Sequence, residues 1–217
     1  MTAAIDTVAA RDLRFALGAG EGTDAVHRTE EYAYATAVIS SSDGCSGIGF
    51  ALTMGRGNEL VCQAIEALGQ TLVGREIEEL MAEFGSVFRS IADDPAYRWL
   101  GPHKGVVHLA LAALTNACFD LWAKARGVPL WRLLLDLEPE ALARTLDLSY
   151  LDGLLDHDEV VAMLRSEAPA RAARSDVLEH GYPGYDTSVG WFDFDTETVL
   201  SRAQAAVRDG FGAVKLK

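Results

Sequence analysis

The sequence predicts an α+β unit over residues 1–135 and, over 136–217, the start of a parallel β/α repeat that stops after its second strand. Three observations predict it. Two β-rich runs flank an Asp-Gly turn. Three later stretches place apolar residues at three- and four-residue spacing. The end of the chain reads strand, helix, strand within roughly 35 residues, the size of a βαβ unit.

Asp6–Phe15 is moderately β-like. Tyr32–Ser41 and Cys45–Thr53 are β-rich, and the Asp-Gly within Ser42-Asp43-Gly44 between them is a hairpin signal, because glycine accepts the positive φ of tight turns. Between the first strand and the hairpin runs Gly18-Ala19-Gly20-Glu21-Gly22-Thr23-Asp24. This loop lacks the G-x-G-x-x-G spacing at a strand-to-helix junction, so it reads as a mobile, lid-like loop and not as a dinucleotide cradle. Helices are predicted over Glu59–Val73, Ile77–Ile91 and Val106–Arg126, the last capped by Gly127 with Pro129 beyond, and a short one over Val128–Leu135. Strands followed by helices in this order make the α+β unit. Beyond it, Arg144–Leu151 is predicted as a strand and Asp156–His180 as a polar helical excursion. A short strand within 181–188 is then followed by a helix, N-capped by Asp193 or Asp195 and running to Arg208, and by the strand Val214–Lys217. Parallel sheets are covered on both faces and continue past two strands, so an interrupted chain is expected.

Composition excludes several function classes. With 49% hydrophobic and 24% charged residues the chain is of the soluble globular type. Its formal net charge of -13 argues against nucleic acid and anionic membrane as partners, since both recruit basic surface. Cys45, Cys62 and Cys118 fit neither a disulfide framework nor a zinc spacing, which points to the reducing cytoplasm. His103 and His108 do not have the i, i+4 spacing of a metal-binding pair. Met1–Arg14 lacks the basic start and apolar core of a leader. The apolar stretch Val106–Ala125 carries His108, Asn116, Asp120 and Lys124, as a buried helix does and a membrane span does not.

Chemistry concentrates at Lys215-Leu216-Lys217. Residues two apart on a strand share a face, so the two lysines lie side by side. Two ammonium groups in one partly desolvated place disfavour each other's charge, one way to make a lysine a usable base near neutral pH. An exposed edge strand with solvated lysines would carry the same letters.

The segments R-D-L-R-F (11–15), G-T-D-A-V-H (22–27), the Asp-Gly hairpin, R-W-L-G-P-H-K-G-V-V-H-L-A (98–110), A-L-T-N-A-C-F-D-L-W-A-K-A-R-G-V-P-L-W-R-L-L (113–134), G-Y-P-G-Y-D-T-S (181–188) and the final K-L-K carry a family resemblance over nearly the whole chain. Together they resemble the mandelate-racemase-type branch of the enolase superfamily and, within it, the L-fuconate dehydratase group. The resemblance implies an α+β capping domain over 1–135 and, over 136–217, the first strands of an incomplete (β/α) TIM-type barrel with active-site groups at the C-terminal strand ends. It implies that Lys217 takes the proton α to a substrate carboxylate, and that Lys215 contacts that carboxylate and steadies the enediolate. Gly22, Thr23 and Asp24 would reach the substrate from the cap, with Tyr32 supporting them. Asp24 also fits a turn-forming carboxylate, and Tyr32 a half-buried strand aromatic. Trp99 is either a pocket wall or packing, Asp120 and Trp122 are structural, and Thr187 and Ser188 would lie at the barrel rim.

The implied activity is that of a hydro-lyase converting L-fuconate to 2-keto-3-deoxy-L-fuconate and water, with Mg²⁺ as cofactor and an acid sugar as partner in a homo-oligomer. In this family the acidic metal ligands lie on the third to fifth barrel strands and the acid histidine later. No metal ligand is therefore assigned here, and Asp186, Asp193 and Asp195 are not promoted to that role. The fragment alone is expected to be catalytically silent, to hold no tight Mg²⁺, and to fray at Lys217. Thr23 stands where the family loop usually has serine. Two alternatives remain: a dehydratase for another acid sugar such as rhamnonate or galactonate, and a non-catalytic cap module.

Overall fold

The computed structural model describes residues 4–100 and 105–217. Met1–Ala3 and residues 101–104, including His103 and the middle of the 98–110 motif, lie outside the described residues. Strands β1 (Ile5–Ala16), β2 (Glu31–Ser41) and β3 (Ser46–Thr53) form an antiparallel meander in that order. Between β2 and β3, Gly44 adopts φ 87°, while one Asp43 carboxylate oxygen accepts from Ser41 Oγ at 2.6 Å and from the Cys45 N–H at 3.0 Å. Strand alternation turns Ala33, Ala35, Ala37 and Ile39 of β2 inward, where all are fully buried.

Helix α1 (Asn58–Gly69), its 3₁₀ extension Gln70–Leu72 and α4 (Val106–Ala125) cover that inner face, and α2 (Ile77–Ala82) and α3 (Phe84–Ala92) pack against α4. Helix α4 lies directly on β3 because Gly47 and Gly49 present no side chain: a Cβ at either would collide with the Ala117 or Ala113 carbonyl oxygen. Asp120 then ties helix to strand, accepting from the Ile48 N–H at 2.8 Å and from Lys124 Nζ at 2.7 Å. Trp122 is buried edge-on to Phe119, with ring centroids 6.2 Å apart. Both residues are structural, as expected. By length and composition α4 could cross a membrane, yet 56% of its apolar window is buried within the protein, where Leu111, Leu114 and Leu121 join Ile65, Leu80 and Met81 in the core.

Two expectations are corrected. The stretch Ile77–Ile91 is not one helix: Glu83 leaves helical geometry (φ -128°, ψ 22°) and separates α2 from α3. Leu80, Met81, Phe84, Val87 and Ile91 all face one core, so apolar spacing continues across the break and conceals it. Arg144–Leu151 is not a strand. Pro139 opens a helix, α6 (Pro139–Arg144), after α5 (Leu130–Asp136), and a 3₁₀ turn follows at Ser149–Leu151. Thr145 Oγ1 donates to the Leu142 carbonyl at 2.7 Å and Asp147 accepts from the Ser149 N–H at 3.0 Å, so local side-chain bonds engage backbone groups that a strand would use.

The polar excursion is helical, as α7 (His157–Glu167) and α8 (Arg171–His180). A reciprocal capping box starts α7, with Asp156 and Glu159 each accepting from the other's N–H at 2.8 Å. The chain ends in a parallel pair, β4 (Asp186–Gly190) and β5 (Val214–Leu216), joined through α9 (Thr196–Arg208). Of the two candidate caps for α9 it is Asp195 that accepts from the Thr198 N–H, at 2.7 Å.

Candidate active site

The loop between β1 and β2 closes on itself before it meets anything else. The Leu17 N–H donates to the Glu30 carbonyl at 2.9 Å, and the Thr29 N–H to the Gly22 carbonyl at 3.2 Å. Gly22 has φ 69°, and a Cβ there would collide with Leu17 and lie 2.8 Å from the Thr29 carbonyl oxygen, so no other residue fits. Thr23 is only 5% exposed, and its hydroxyl is used in both directions. It donates to the Gly20 carbonyl at 2.8 Å and accepts from the Asp193 N–H at 3.1 Å. The Phe192 N–H in turn donates to the Thr23 carbonyl at 3.3 Å. Thr23 therefore ties the loop to the turn that leaves β4.

Charge and aromatic faces reinforce this seam. Arg28 pairs with Asp193 at 2.9 Å and lies over Phe192, 5.2 Å from its centroid. Arg202 of α9 pairs with Glu21 at 2.9 Å and lies over Phe194 at 4.6 Å. The Arg202 guanidinium, helped by the Gly18 N–H, holds the Glu21 carboxyl below the usual carboxylate range.

Asp24 faces its own turn. One carboxylate oxygen accepts from the Val26 N–H at 2.8 Å and the His27 N–H at 2.7 Å, and His27 Nδ1 lies 3.1 Å from both oxygens. These bonds, the Val26 amide first, bring its pKa down from 3.8 to about 2. Because the folded value is the lower one, this contribution is full above 3.8 and is lost as pH falls through about 2. Carboxyl NMR should place the Asp24 midpoint near 2, and Asp24→Asn should loosen the loop at neutral pH; an Asp24 midpoint at 3.8 would show that the turn does not form in solution.

Tyr32, at the start of β2, is half-buried opposite Phe15 on the outer face of the sheet. With Leu13, Phe15, Tyr34, Ile48 and Phe50 it lines an apolar groove of about 450 Å³. Burial, then Tyr34 and Glu21, push its phenol pKa upward. This large groove shares no lining residue with the lysine pair, so its size does not mark the chemistry.

Lys215 lies within β5 and Lys217 follows its last residue; both side chains are exposed. The Lys217 N–H donates to the Gly190 carbonyl at 2.8 Å, and its Nζ lies 3.9 Å from the centroid of the Trp191 ring. The end of β4 thus receives Lys217 from one side and Thr23 from the other. Side chains of Asp24 and Tyr32 are engaged elsewhere.

Thr187 and Ser188 lie within β4, where Ser188 bonds Asp186, so Trp191–Phe194 and not they follow the strand end. Trp99 is 77% exposed, in a separate groove with Leu60, Tyr97 and Val106. Glu21, Arg28, Trp191, Asp193 and Arg202 were not singled out for the site from the sequence. The W-F-D-F run at 191–194, two residues beyond the strand predicted within 181–188, was the available signal. Among the described residues no group of three or more His, Cys, Asp or Glu is placed to hold a metal ion.

The comparisons with known proteins agree with this architecture. The family described as mandelate racemase / muconate lactonizing enzyme, N-terminal domain, matches residues 22–134. L-galactonate dehydratase of Hypocrea jecorina is 35% identical over 95% of this chain and 47% of its own length. The crystal structure of human Mitochondrial enolase superfamily member 1 covers the whole chain with half of its own, at 34% identity and a TM-score of 0.91. L-talarate/galactarate dehydratase from Salmonella typhimurium, solved with Mg and L-lyxarohydroxamate, shares the fold at 19% identity and a TM-score of 0.66, covering 100% of this chain and 44% of its own. The chain spans about half the length of the curated relatives it matches. The protein therefore belongs to the mandelate racemase / muconate lactonizing enzyme branch of the enolase superfamily, and its three-stranded sheet with the helices behind it is that branch's N-terminal capping domain.

Proposed function

We propose that the full-length protein is an acid-sugar dehydratase acting on L-fuconate. One observation carries this reading: the cap loop bearing Gly22, Thr23 and Asp24 is anchored on the turn leaving β4, at the same strand end that Lys217 reaches from β5. In this reading β4–α9–β5 opens a barrel, and a substrate held between cap and barrel lies over the lysine pair.

Lys217 Nζ takes the proton from the carbon α to the carboxylate, and the C–H electron pair moves into the carboxylate to form an enediolate. Lys215 holds the carboxylate and balances that charge. Expulsion of the neighbouring 3-hydroxyl, protonated by an acid outside this chain, releases water and leaves an enol that tautomerises to the 2-keto-3-deoxy acid. Mg²⁺, when bound, supplies positive charge to the carboxylate; its ligands belong to residues outside this chain.

L-fuconate is L-galactonate without the 6-hydroxyl, so the two share stereochemistry at C2 and C3. The Hypocrea jecorina relative therefore supports the reaction and makes L-galactonate the second reading. The full-length protein with Mg²⁺, offered L-fuconate, L-galactonate, D-galactonate and L-rhamnonate, should give a 2-keto-3-deoxy acid with highest kcat/KM on L-fuconate. Turnover of L-galactonate alone would move the assignment to the second reading. No turnover of any acid sugar would end both.

A further inference from the structure

We infer that Trp191 is a positioning residue for Lys217: its indole face seats the ammonium that forms when Lys217 accepts the substrate proton. This rests on the reading of Lys217 as the base. Lys217 Nζ lies 3.9 Å from the Trp191 ring centroid, well within the range in which an aromatic face attracts a cation, and tryptophan gives the strongest such face. The contact is built by the backbone. Because the Lys217 N–H bonds the Gly190 carbonyl at 2.8 Å, Lys217 and Trp191 leave two adjacent parallel strands at the same level.

The turn that carries Trp191 is itself fixed. The Phe194 N–H donates to the Trp191 carbonyl at 3.1 Å, and the next two residues bond Thr23 of the cap loop, through the Phe192 and Asp193 N–H groups. Trp191 is half-buried, and its ring face meets the lysine. A ring face attracts the positive charge that Lys217 gains on taking the substrate proton, and the same contact aims Nζ. Docking of the cap loop on 192–193 thus reaches the base through the same turn.

The test uses full-length protein with Mg²⁺ and the best acid sugar from the panel. Trp191→Leu should lower kcat and the rate of α-hydrogen exchange with deuterium oxide about tenfold, with KM nearly unchanged, and Trp191→Phe should recover part of the loss. Fluorinated tryptophans placed at position 191 keep the shape but weaken the ring face, so kcat should fall stepwise with each added fluorine. A structural role alone would leave that series flat. In parallel, the Lys217 ε-methylene protons of the wild type should show an upfield ring-current shift that vanishes in Trp191→Leu. A flat fluorine series, or a missing ring-current shift, would overturn the inference while leaving Lys217 as base. A Lys217→Ala variant that still exchanged the α-hydrogen would instead overturn the proposed function.

Discussion

Lys217→Ala in the full-length protein is expected to abolish dehydration, with kcat falling by roughly 10²–10⁴, the usual contribution of a positioned general base. Exchange of the α-hydrogen with deuterium oxide should stop with it, because proton abstraction precedes loss of water. Lys217→Arg should do no better: it keeps the positive charge but holds its proton at any working pH. Folding should be untouched, since the Lys217 side chain is exposed and its link to β4 is a backbone bond to Gly190. Unchanged thermal unfolding with lost exchange would therefore assign the defect to chemistry. Exchange at the wild-type rate in Lys217→Ala would remove the base from this residue. On the proposed function, Lys215→Ala should raise KM as well as lower kcat, because the carboxylate it is proposed to hold is present in both ground and transition states.

The second large effect belongs to Thr23→Val. Valine matches threonine in shape but has no hydroxyl, so the Gly20 carbonyl loses a donor and the Asp193 N–H loses its acceptor. At a site only 5% exposed, leaving such groups unpaired costs about 1–3 kcal/mol. That cost falls on the docked position of the cap loop, so KM should rise several-fold to about a hundredfold at 1.4 kcal/mol per tenfold. Amide hydrogen exchange should quicken in 18–29 and 191–194 together. Thr23→Ser keeps the hydroxyl and should behave like the parent. A Thr23→Val protein with parental KM and parental exchange would mean that the Gly20 and Asp193 bonds do not hold the cap.

The Arg28–Asp193 and Arg202–Glu21 pairs add less than their short distances suggest. The side chains of Arg28, Asp193 and Arg202 are each 38–50% exposed and Glu21 28%, and ion pairs open to water contribute about 0–1 kcal/mol. Their value is in alignment: both cross from cap loop to the β4–α9 segment, and each arginine also covers a phenylalanine of the same turn. The Thr23 bonds, shielded from water, carry more of the docking energy.

Much of the fold was legible because its causes are local. The Asp43-Gly44 turn, the Gly127 cap with Pro129 behind it, and Asp195 as N-cap each act within a few residues, and each element formed close to where the sequence placed it. The break at Glu83 was hidden because both helices press the same core, and periodicity reports the shared face and not the continuity of the backbone. The 144–151 stretch was misread because its side-chain-to-backbone bonds compete with strand pairing in a way composition does not register.

For the site, sequence determined which residue types were present: two lysines on one strand face, and a glycine-rich loop ending in Thr23-Asp24. It left open what each would touch, since Asp24 was equally suited to a turn or to a substrate. Tertiary structure decided that the Asp24 carboxylate closes its own turn, that Tyr32 faces an apolar groove, and that Thr23 buttons the loop to Asp193 across a separation of 170 residues. It also set Trp191 beneath Lys217. The physical reason is sequence distance. Caps and turns are satisfied by neighbours a few residues away, whereas the Thr23–Asp193 and Trp191–Lys217 contacts exist only after the βαβ segment has folded against the cap.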